Sequence, residues 1–208
     1  MTNSSDFILT NHCGRGLVRE QAEATIILSR EHGFIRWLSG GLIRKGWALA
    51  ELGSVEEGIE QIRQGIATWQ EIGTKQGELQ HLAMLAEAYK NGGKIEVGLR
   101  VLAEALAIVC TNEERYYEAE LYRLRGELLL EEGDRFGEAE ESFLHALDIA
   151  RHQNAKSLEL RAMMSLCRLQ QKQGKPVETR QMLMEVYNWF TEGFDTPDLQ
   201  EAKALLEV

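Results

Sequence analysis

Histidine, cysteine and paired carboxylates are the side chains that could bind a metal or act in catalysis, and their spacing favours neither role. The five histidines are His12, His32, His81, His145 and His152. No two of them lie three or four residues apart, the spacing that a zinc site on one helix requires. Acidic neighbours such as Glu140-Glu141 are typical of a solvated helix face. We therefore expect no metal and no cofactor.

Two further motifs that could carry chemistry are incomplete. Cys167 has no histidine or aspartate placed to activate it as a nucleophile, and its apolar neighbours indicate a packing role. Gly92-Gly93-Lys94 imitates a phosphate-binding loop, but Ile95 follows the lysine and the upstream glycine is missing. We therefore expect that the chain is not an enzyme and does not hydrolyse or cyclise nucleoside triphosphates.

Composition indicates a folded chain without nucleic acid or membrane as partner. The 208 residues are 44% hydrophobic and carry a net charge of −10, which repels phosphates and anionic lipids. Three widely spaced cysteines form no disulfide framework, and no apolar run reaches the length of a transmembrane helix. These observations predict a cytoplasmic location.

A segment of about forty residues recurs through the chain. Each copy has a small residue between large apolar ones, followed seven residues later by glycine. The small residues are Gly46, Ala86, Gly126 and Cys167. A second apolar stretch with its own small residues follows each copy. A fixed period of this length predicts stacked helix pairs, because one pair cannot bury its apolar face alone.

The predicted organisation is a flexible N-terminus (1–14) followed by a single all-α helical-repeat domain (15–208). An unpaired helix runs through Leu17, Ala24, Ile27 and Leu28 to about His32, and its outer apolar side is expected to be poorly covered. Four helix pairs follow at about 34–72, 75–112, 114–152 and 155–191, and a capping helix at 197–207. Glycines are expected to end the helices in a left-handed conformation at Gly53, Gly73, Gly93, Gly133 and Gly174. The tryptophans Trp37, Trp47, Trp69 and Trp189 are interpreted as core or groove wall.

The small and large positions resemble those of the tetratricopeptide repeat (TPR). With Ala86 at consensus position 8, the next positions are Tyr89, Gly98, Leu102 and Ala105. The other repeats follow with Gly46, Leu49, Gly58, Ile62 and Gly65; with Gly126, Leu129, Ala139, Phe143 and Ala146; and, more loosely, with Cys167, Gln170, Thr179, Leu183 and Val186. HEAT repeats share the forty-residue period but lack this set of small residues. The resemblance implies a right-handed superhelix, although standard TPR units are shorter.

A narrower resemblance covers about residues 15–208. The stretches GWALAELG (46–53), YYEAELYRLRGELLL (116–130), ALDIARHQNAKSLELRAMMSLCRL (146–169) and WFTEGFDTPDLQEAKALL (189–206) are similar to the C-terminal TPR region of bacterial multidomain regulators. Those proteins carry an NTPase module, often with an adenylate/guanylate cyclase domain. The resemblance implies a regulatory or docking segment of a signalling protein, without the catalytic parts.

In TPR proteins the first helix of each pair lines a concave groove, which implies a set of binding residues here. They are Ile43, Trp47, Gln80, Glu87, Lys90, Asn91, Arg123, Glu127, Arg161, Met164, Arg168 and Lys172. The lysine and asparagine pair with which some TPR domains clamp a terminal carboxylate is absent, because Ile43 and Trp47 occupy those positions. Trp47 is expected to anchor an apolar group of the partner, and Arg161, Arg168 and Lys172 to face acidic groups.

The charge layout allows two interpretations of that groove. Residues 113–141 are acidic, 150–182 basic and 183–208 acidic again. This pattern predicts either ion pairs between neighbouring repeats or a groove that orients a charged partner.

Two functions remain open on the sequence alone. One is a scaffold that binds a protein or peptide, including other domains of a parent protein, with self-association through the N-terminal end. The other is a small-ligand sensor domain of a multidomain NTPase or cyclase regulator. A closed pocket would favour the sensor, and a long open groove would favour the scaffold.

Overall fold

The computed structural model describes residues 14–112, 115–133, 135–174 and 177–207. Within these ranges the chain is all-α, without a β-strand, and most described residues lie in helices. Nearly all of the predicted flexible N-terminus lies outside the described residues. No helix in the described ranges is both long and apolar enough to span a lipid bilayer.

Ten helices follow one another along the described ranges. They are α1 (Arg15–His32), α2 (Ile35–Glu51), α3 (Val55–Glu71), α4 (Glu78–Asn91), α5 (Ile95–Asn112), α6 (Glu118–Glu131), α7 (Phe136–His152), α8 (Lys156–Lys172), α9 (Val177–Tyr187) and α10 (Pro197–Glu207). The predicted order of one unpaired helix, four helix pairs and a last helix is confirmed.

The helix ends follow local chemistry that the sequence displays. The five glycines predicted to end helices all have positive φ, between 66° and 104°. Asn154 takes the same conformation after α7, with φ of 53°, and asparagine is one of the few other residues that tolerate it. Helix α10 begins at Pro197, whose missing N–H costs nothing in a first turn.

The small-residue positions lie where first and second helices pack. Gly46, Ala86, Gly126 and Cys167 are all buried. Their partners on the second helices are buried too: Gly58, Ile62, Gly65, Gly98, Leu102, Ala105, Ala139, Phe143, Ala146, Thr179, Leu183 and Val186. This confirms the TPR-like packing pattern, in which small side chains let two helices approach closely.

The chain divides into two compact units, one ending at Ala107 and the other beginning at Ile108. In the first unit, α1 packs against α2, α2 against α3, and α4 against both α2 and α3. In the second unit, α7 packs against α6 and α8, α9 against α8, and α10 against α8 and α9. Helix α10 therefore packs against α8 and α9 in the same way as α4 packs against α2 and α3. The prediction of a single domain stays a prediction.

The expectations for α1, for α9 and for two tryptophans have different outcomes. Helix α1 buries Val18, Ala22, Ile26 and Ser29 and exposes the apolar residues Leu17, Ala24, Ile27 and Leu28, so it has a poorly covered apolar side, as the sequence predicts. The cause is Gly41 of α2, which approaches Ile26 and Ala22 closely and so selects the face of α1 that is covered. Helix α9 ends at Tyr187, short of the predicted 191. Trp37 and Trp189 are 54% and 59% exposed and so are not core residues; that they line a groove stays a prediction.

Candidate binding surfaces on the first helices

Helix α2 is held against α3 by two glycines that let backbone meet backbone. A Cβ added at Gly46 would lie 2.5 Å from the carbonyl oxygen of Gly58, and one added at Gly58 would lie 2.5 Å from that of Gly46. Gly65 makes room for Ile43 in the same way. This contact fixes which side of α2 is turned towards α3, and hence which side chains remain for α4.

Three side-chain hydrogen bonds join the first pair to the second at a constant spacing of 40 residues. Arg36 donates to Gln76 at 2.7 Å, the Trp47 indole Nε1 donates to Glu87 at 2.9 Å, and Asn91 donates to Glu51 at 2.6 Å. We call these six residues the polar ladder of the first unit. Equal spacing follows from the repeat, because corresponding residues of successive pairs stack at the same height.

The polar ladder shows what became of the predicted groove residues in the first unit. Ile43 and Trp47 are buried, Gln80, Glu87 and Lys90 are half-buried, and Asn91 is exposed. Trp47 is only 9% exposed and is hydrogen-bonded to Glu87. Its ring therefore packs between repeats, and its role as the anchor for a partner stays a prediction.

A second cluster of polar and aromatic side chains, which the sequence analysis did not identify, lies near the start of α2. The rings of Trp69 and His81 meet edge to face, with centroids 4.6 Å apart, and the guanidinium of Arg36 lies 5.4 Å from the Trp69 ring centroid. Burial, with help from the nearby Arg44, lowers the pKa of His81 to about 3, so its ring is neutral at pH 7. The sequence shows a tryptophan on α3 and a histidine on α4, but it does not show that the two side chains are in contact.

In the second unit, a buried ion network takes the place of the polar ladder. Arg123 donates to both carboxylate oxygens of Glu120, at 2.9 Å and 2.8 Å, and also pairs with Glu127. Ser165 of α8 donates to Glu127 at 3.2 Å. Arg161, also on α8, pairs with Glu120 at 2.9 Å. Two first helices are thus joined by charges that are almost wholly buried.

The pKa values of two carboxyl groups reflect this network. Burial opposes ionisation of Glu120, but Arg123 and Arg161 outweigh it and hold the pKa below its usual value. For Asp198 of α10 burial prevails over the attraction of Arg161, and the pKa of this carboxyl is raised. Glu120 is therefore a firmly ionised partner of the two arginines.

The predicted row of cations on α8 faces acidic groups of the same chain. Arg161 lies 4.0 Å from Asp198, and Arg168 pairs with Glu201. Met164 is buried and Lys172 is exposed. The basic and acidic blocks in the sequence therefore pair with each other in the second unit, as the first of the two interpretations predicts. Whether the predicted residues also bind a partner stays a prediction.

The candidate metal-binding and nucleophilic side chains of the sequence can be placed in the structure. Among the described residues, no group of three histidine, cysteine or acidic side chains is arranged to hold a metal ion. Burial raises the pKa of the Cys167 thiol above its usual value, despite the hydrogen bond with Thr179, which makes it a poor nucleophile. The polar side chains of the first helices described above bond to one another within each unit.

Comparison with solved structures identifies the fold. BtubC from P. vanneervenii superposes with a TM-score of 0.71 at 14% identity, over 94% of this chain and 89% of that one. A Podosopora anserina protein, described as a kinesin light chain with nearly identical TPR-like repeats, gives 0.57 at 18% identity, over 82% and 84%. A Rap protein complexed with competence and sporulation factor gives 0.61 at 20%, over 85% and 44%. The chain has the fold of TPR-like repeat proteins.

Sequence comparison adds one relative. No family model matches the chain. An uncharacterized protein of Rhizobium meliloti (strain 1021) is 31% identical over 130 residues, which are 62% of this chain. The chain spans only 13% of the length of that protein.

Proposed function

We propose that this chain is a non-catalytic scaffold that binds a protein or peptide along its first helices. The observation that carries the proposal is the repeated joining of first helices by polar side chains, over a fold that is shared with TPR-like proteins. Within each unit these groups hold one another in place on neighbouring first helices, and polar side chains held in this way suit recognition of an extended segment. The Rap protein, with its bound factor, is a similar fold that holds a partner.

The partner that we propose is another domain of a bacterial signalling protein with an NTPase or cyclase module. The Rhizobium meliloti relative supports this proposal, because the matching segment is a small part of a much longer protein. Cytoplasmic location belongs to the same proposal. Self-association through α1 is supported by Leu17, Ile27 and Leu28, which are 46%, 58% and 55% exposed.

The alternative of a small-ligand sensor is favoured by one specific observation. The Trp69–His81 cluster in the first unit contains buried polar atoms that no described residue satisfies. The two functions are compatible if the scaffold also binds a small molecule at that cluster.

The experiment is a selection of binding peptides from a random library on the full chain, followed by measurement of Kd for matched charge variants. Asn91→Lys and Lys172→Glu change exposed first-helix positions, whereas Arg63→Glu and Glu104→Lys change exposed second-helix positions. An added or reversed surface charge changes a binding free energy by up to about 1 kcal/mol, so the first-helix variants should bind up to about fivefold more weakly. The second-helix variants should bind as wild type does. Weakening by the second-helix variants alone would contradict the proposal.

A further inference from the structure

Two buried polar atoms without a hydrogen bond belong to neighbouring rings in the first unit. Across the part of the chain that the structure describes, only Trp69 Nε1 and His81 Nδ1 are buried side-chain polar atoms without a hydrogen bond. The two rings touch at 4.6 Å, and the residues are 7% and 9% exposed. Buried donors are almost always satisfied in native proteins, so two such atoms in one cluster indicate that something outside the chain bonds to them.

Positive charge surrounds the same cluster. Arg36 lies over the Trp69 ring, and Arg44 is close enough to His81 to disfavour protonation of its imidazole. The hydrogen bond of Arg36 is to the neutral amide of Gln76, which leaves the charge of the guanidinium uncompensated by that contact. A chain with net charge −10 thus has a locally cationic spot above two unsatisfied polar atoms.

The cover of the cluster can move. Arg36 and Gln76 are both exposed, and Gln76 lies in the connection between α3 and α4. Gly77 ends that connection and has φ of 87°. A Cβ added at Gly77 would lie 3.7 Å from atoms of both Trp69 and His81, so the glycine borders the cluster. The Arg36 side chain over the Trp69 ring and its partner Gln76 are therefore free to rotate without the unfolding of a helix.

We propose that the Trp69–His81 cluster is a binding site for a carboxylate. The carboxylate accepts the Trp69 indole N–H and, in the tautomer that carries its proton on Nδ1, the His81 N–H. The group lies under the Arg36 guanidinium, which is the side chain best suited to a planar anion. The carboxylate belongs either to a free small acid or to an acidic side chain of a partner. Only the second source rests on the proposed function.

The test is NMR of the indole N–H groups in the full chain during titration with acetate, with chloride at equal ionic strength as reference. Trp69→Phe assigns the resonance, and the exposed Trp37 and Trp189 serve as internal controls. Saturable displacement of the Trp69 indole signal alone is expected. Arg36→Gln should weaken the apparent affinity about tenfold, whereas Arg100→Gln, an exposed arginine on α5, should leave it unchanged. A Trp69 signal that does not saturate with acetate would show that the cluster binds water only, and saturation with equal affinity in Arg36→Gln would show that Arg36 does not hold the carboxylate. Either result would overturn the proposal.

A second titration identifies the source. A glutamate-containing peptide is compared with the same peptide carrying glutamine. Stronger binding of the glutamate peptide than of acetate, lost in the glutamine peptide, assigns the site to a partner. Saturation by acetate with no effect of either peptide keeps the carboxylate site and excludes the partner side chain. That result would leave the scaffold proposal to its own test on the first helices.

Discussion

The two units use the same repeat position for different purposes. Gly46 in the first unit lets α2 and α3 meet backbone to backbone, since its hypothetical Cβ falls on the carbonyl oxygen of Gly58. Gly126 in the second unit makes room for the ring of Phe143, whose Cδ1 would lie 2.7 Å from an added Cβ. A small residue at this position therefore permits either a close helix approach or a large partner, and the second helix decides which.

The units also differ in the polar contacts between first helices. In the first unit, the two outer bonds of the polar ladder are exposed to solvent, and the Trp47–Glu87 bond between them is part-buried. In the second unit, Glu120 and Arg123 are 2% and 5% exposed. Solvent can replace a bond of the ladder, whereas a buried charge that loses its partner has no substitute. The second unit should therefore depend far more on its polar contacts.

The largest expected effect is loss of a charge from the second unit. Arg123→Met removes the bidentate partner of Glu120 and leaves that buried carboxylate with Arg161. Breaking a buried ion pair from one side costs about 3–5 kcal/mol. The free energy of unfolding, measured by denaturant titration, should fall by that amount. Arg63→Met, an exposed arginine of α3, should change it by less than about 0.5 kcal/mol. Similar losses in both variants would remove the contrast between the units.

Substitution of Gly46 and of Gly126 by alanine compares the two close helix contacts directly. Gly46→Ala collides with backbone, which cannot rotate away, so the loss should reach about 3 kcal/mol or more. Gly126→Ala collides with a side chain that can turn slightly, and about 1–2 kcal/mol is expected. Thermal or denaturant unfolding measures both. Gly137→Ala is the control, because nothing lies within 4 Å of its added Cβ. It should stabilise α7 by about 0.5–1 kcal/mol. A larger loss at Gly126 than at Gly46 would reverse the comparison.

The dependence of stability on pH should distinguish the two units, because each unit responds in a different pH range. The pKa of His81 falls from its usual 6.5 to about 3 on folding. Below pH 6.5, His81 is therefore protonated in the unfolded chain while it stays neutral in the folded chain. Stability must then decrease as pH falls, by about 1.4 kcal/mol per pH unit once pH is well below 6.5. Between pH 7.5 and 5.5, wild type should lose about 1.4 kcal/mol more than His81→Gln does. Parallel curves for the two proteins would refute the neutral, buried state of His81.

Glu120 should act only in stronger acid. Its pKa is depressed in the folded state, so the stability that it contributes is present above its usual 4.5 and is lost as pH falls further. Comparison of wild type with Glu120→Gln, whose amide does not titrate, by unfolding at several pH values should show their difference shrinking only below pH 4.5. A difference that already vanishes at pH 6 would mean that Glu120 is not ionised in the folded protein.

The smallest expected effect is at the exposed end of the polar ladder. Asn91→Ala removes the hydrogen bond to Glu51, which Arg15 also contacts at 2.8 Å. Because water and Arg15 can satisfy the freed carboxylate, the free energy of unfolding should fall by no more than about 0.5 kcal/mol. A loss near 2 kcal/mol in denaturant titration would show that the ladder is structural rather than a surface feature.

The helix packing was predictable from the sequence because small residues at a fixed period mark the places where helices approach closely. Gly46, Gly58 and Gly65 showed which helix faces meet, and the glycine stops showed where helices end. The covered face of α1 was not predictable in the same way. Its apolar residues occupy more than one side, and only the approach of Gly41 to Ile26 selects between them.

The candidate site was predictable in part. The charge blocks indicated ion pairs between repeats, which Arg161 and Glu120 form. They could not indicate how deeply each pair is buried, since burial depends on the neighbouring helices. The Trp69–His81 cluster depends on a contact across the α3–α4 connection, and no residue spacing in the sequence reveals that contact.

The central claim is that partners bind the first helices, and site-specific photo-crosslinking in living cells of the source organism tests it most directly. A benzophenone amino acid is placed at the exposed first-helix positions Asn91 and Lys172 and, for comparison, at the exposed second-helix positions Arg63 and Glu104. We predict a discrete adduct with another polypeptide, or with another domain of a longer chain, from Asn91 or Lys172 and none from Arg63 or Glu104. Adducts from Arg63 or Glu104 alone would contradict the claim.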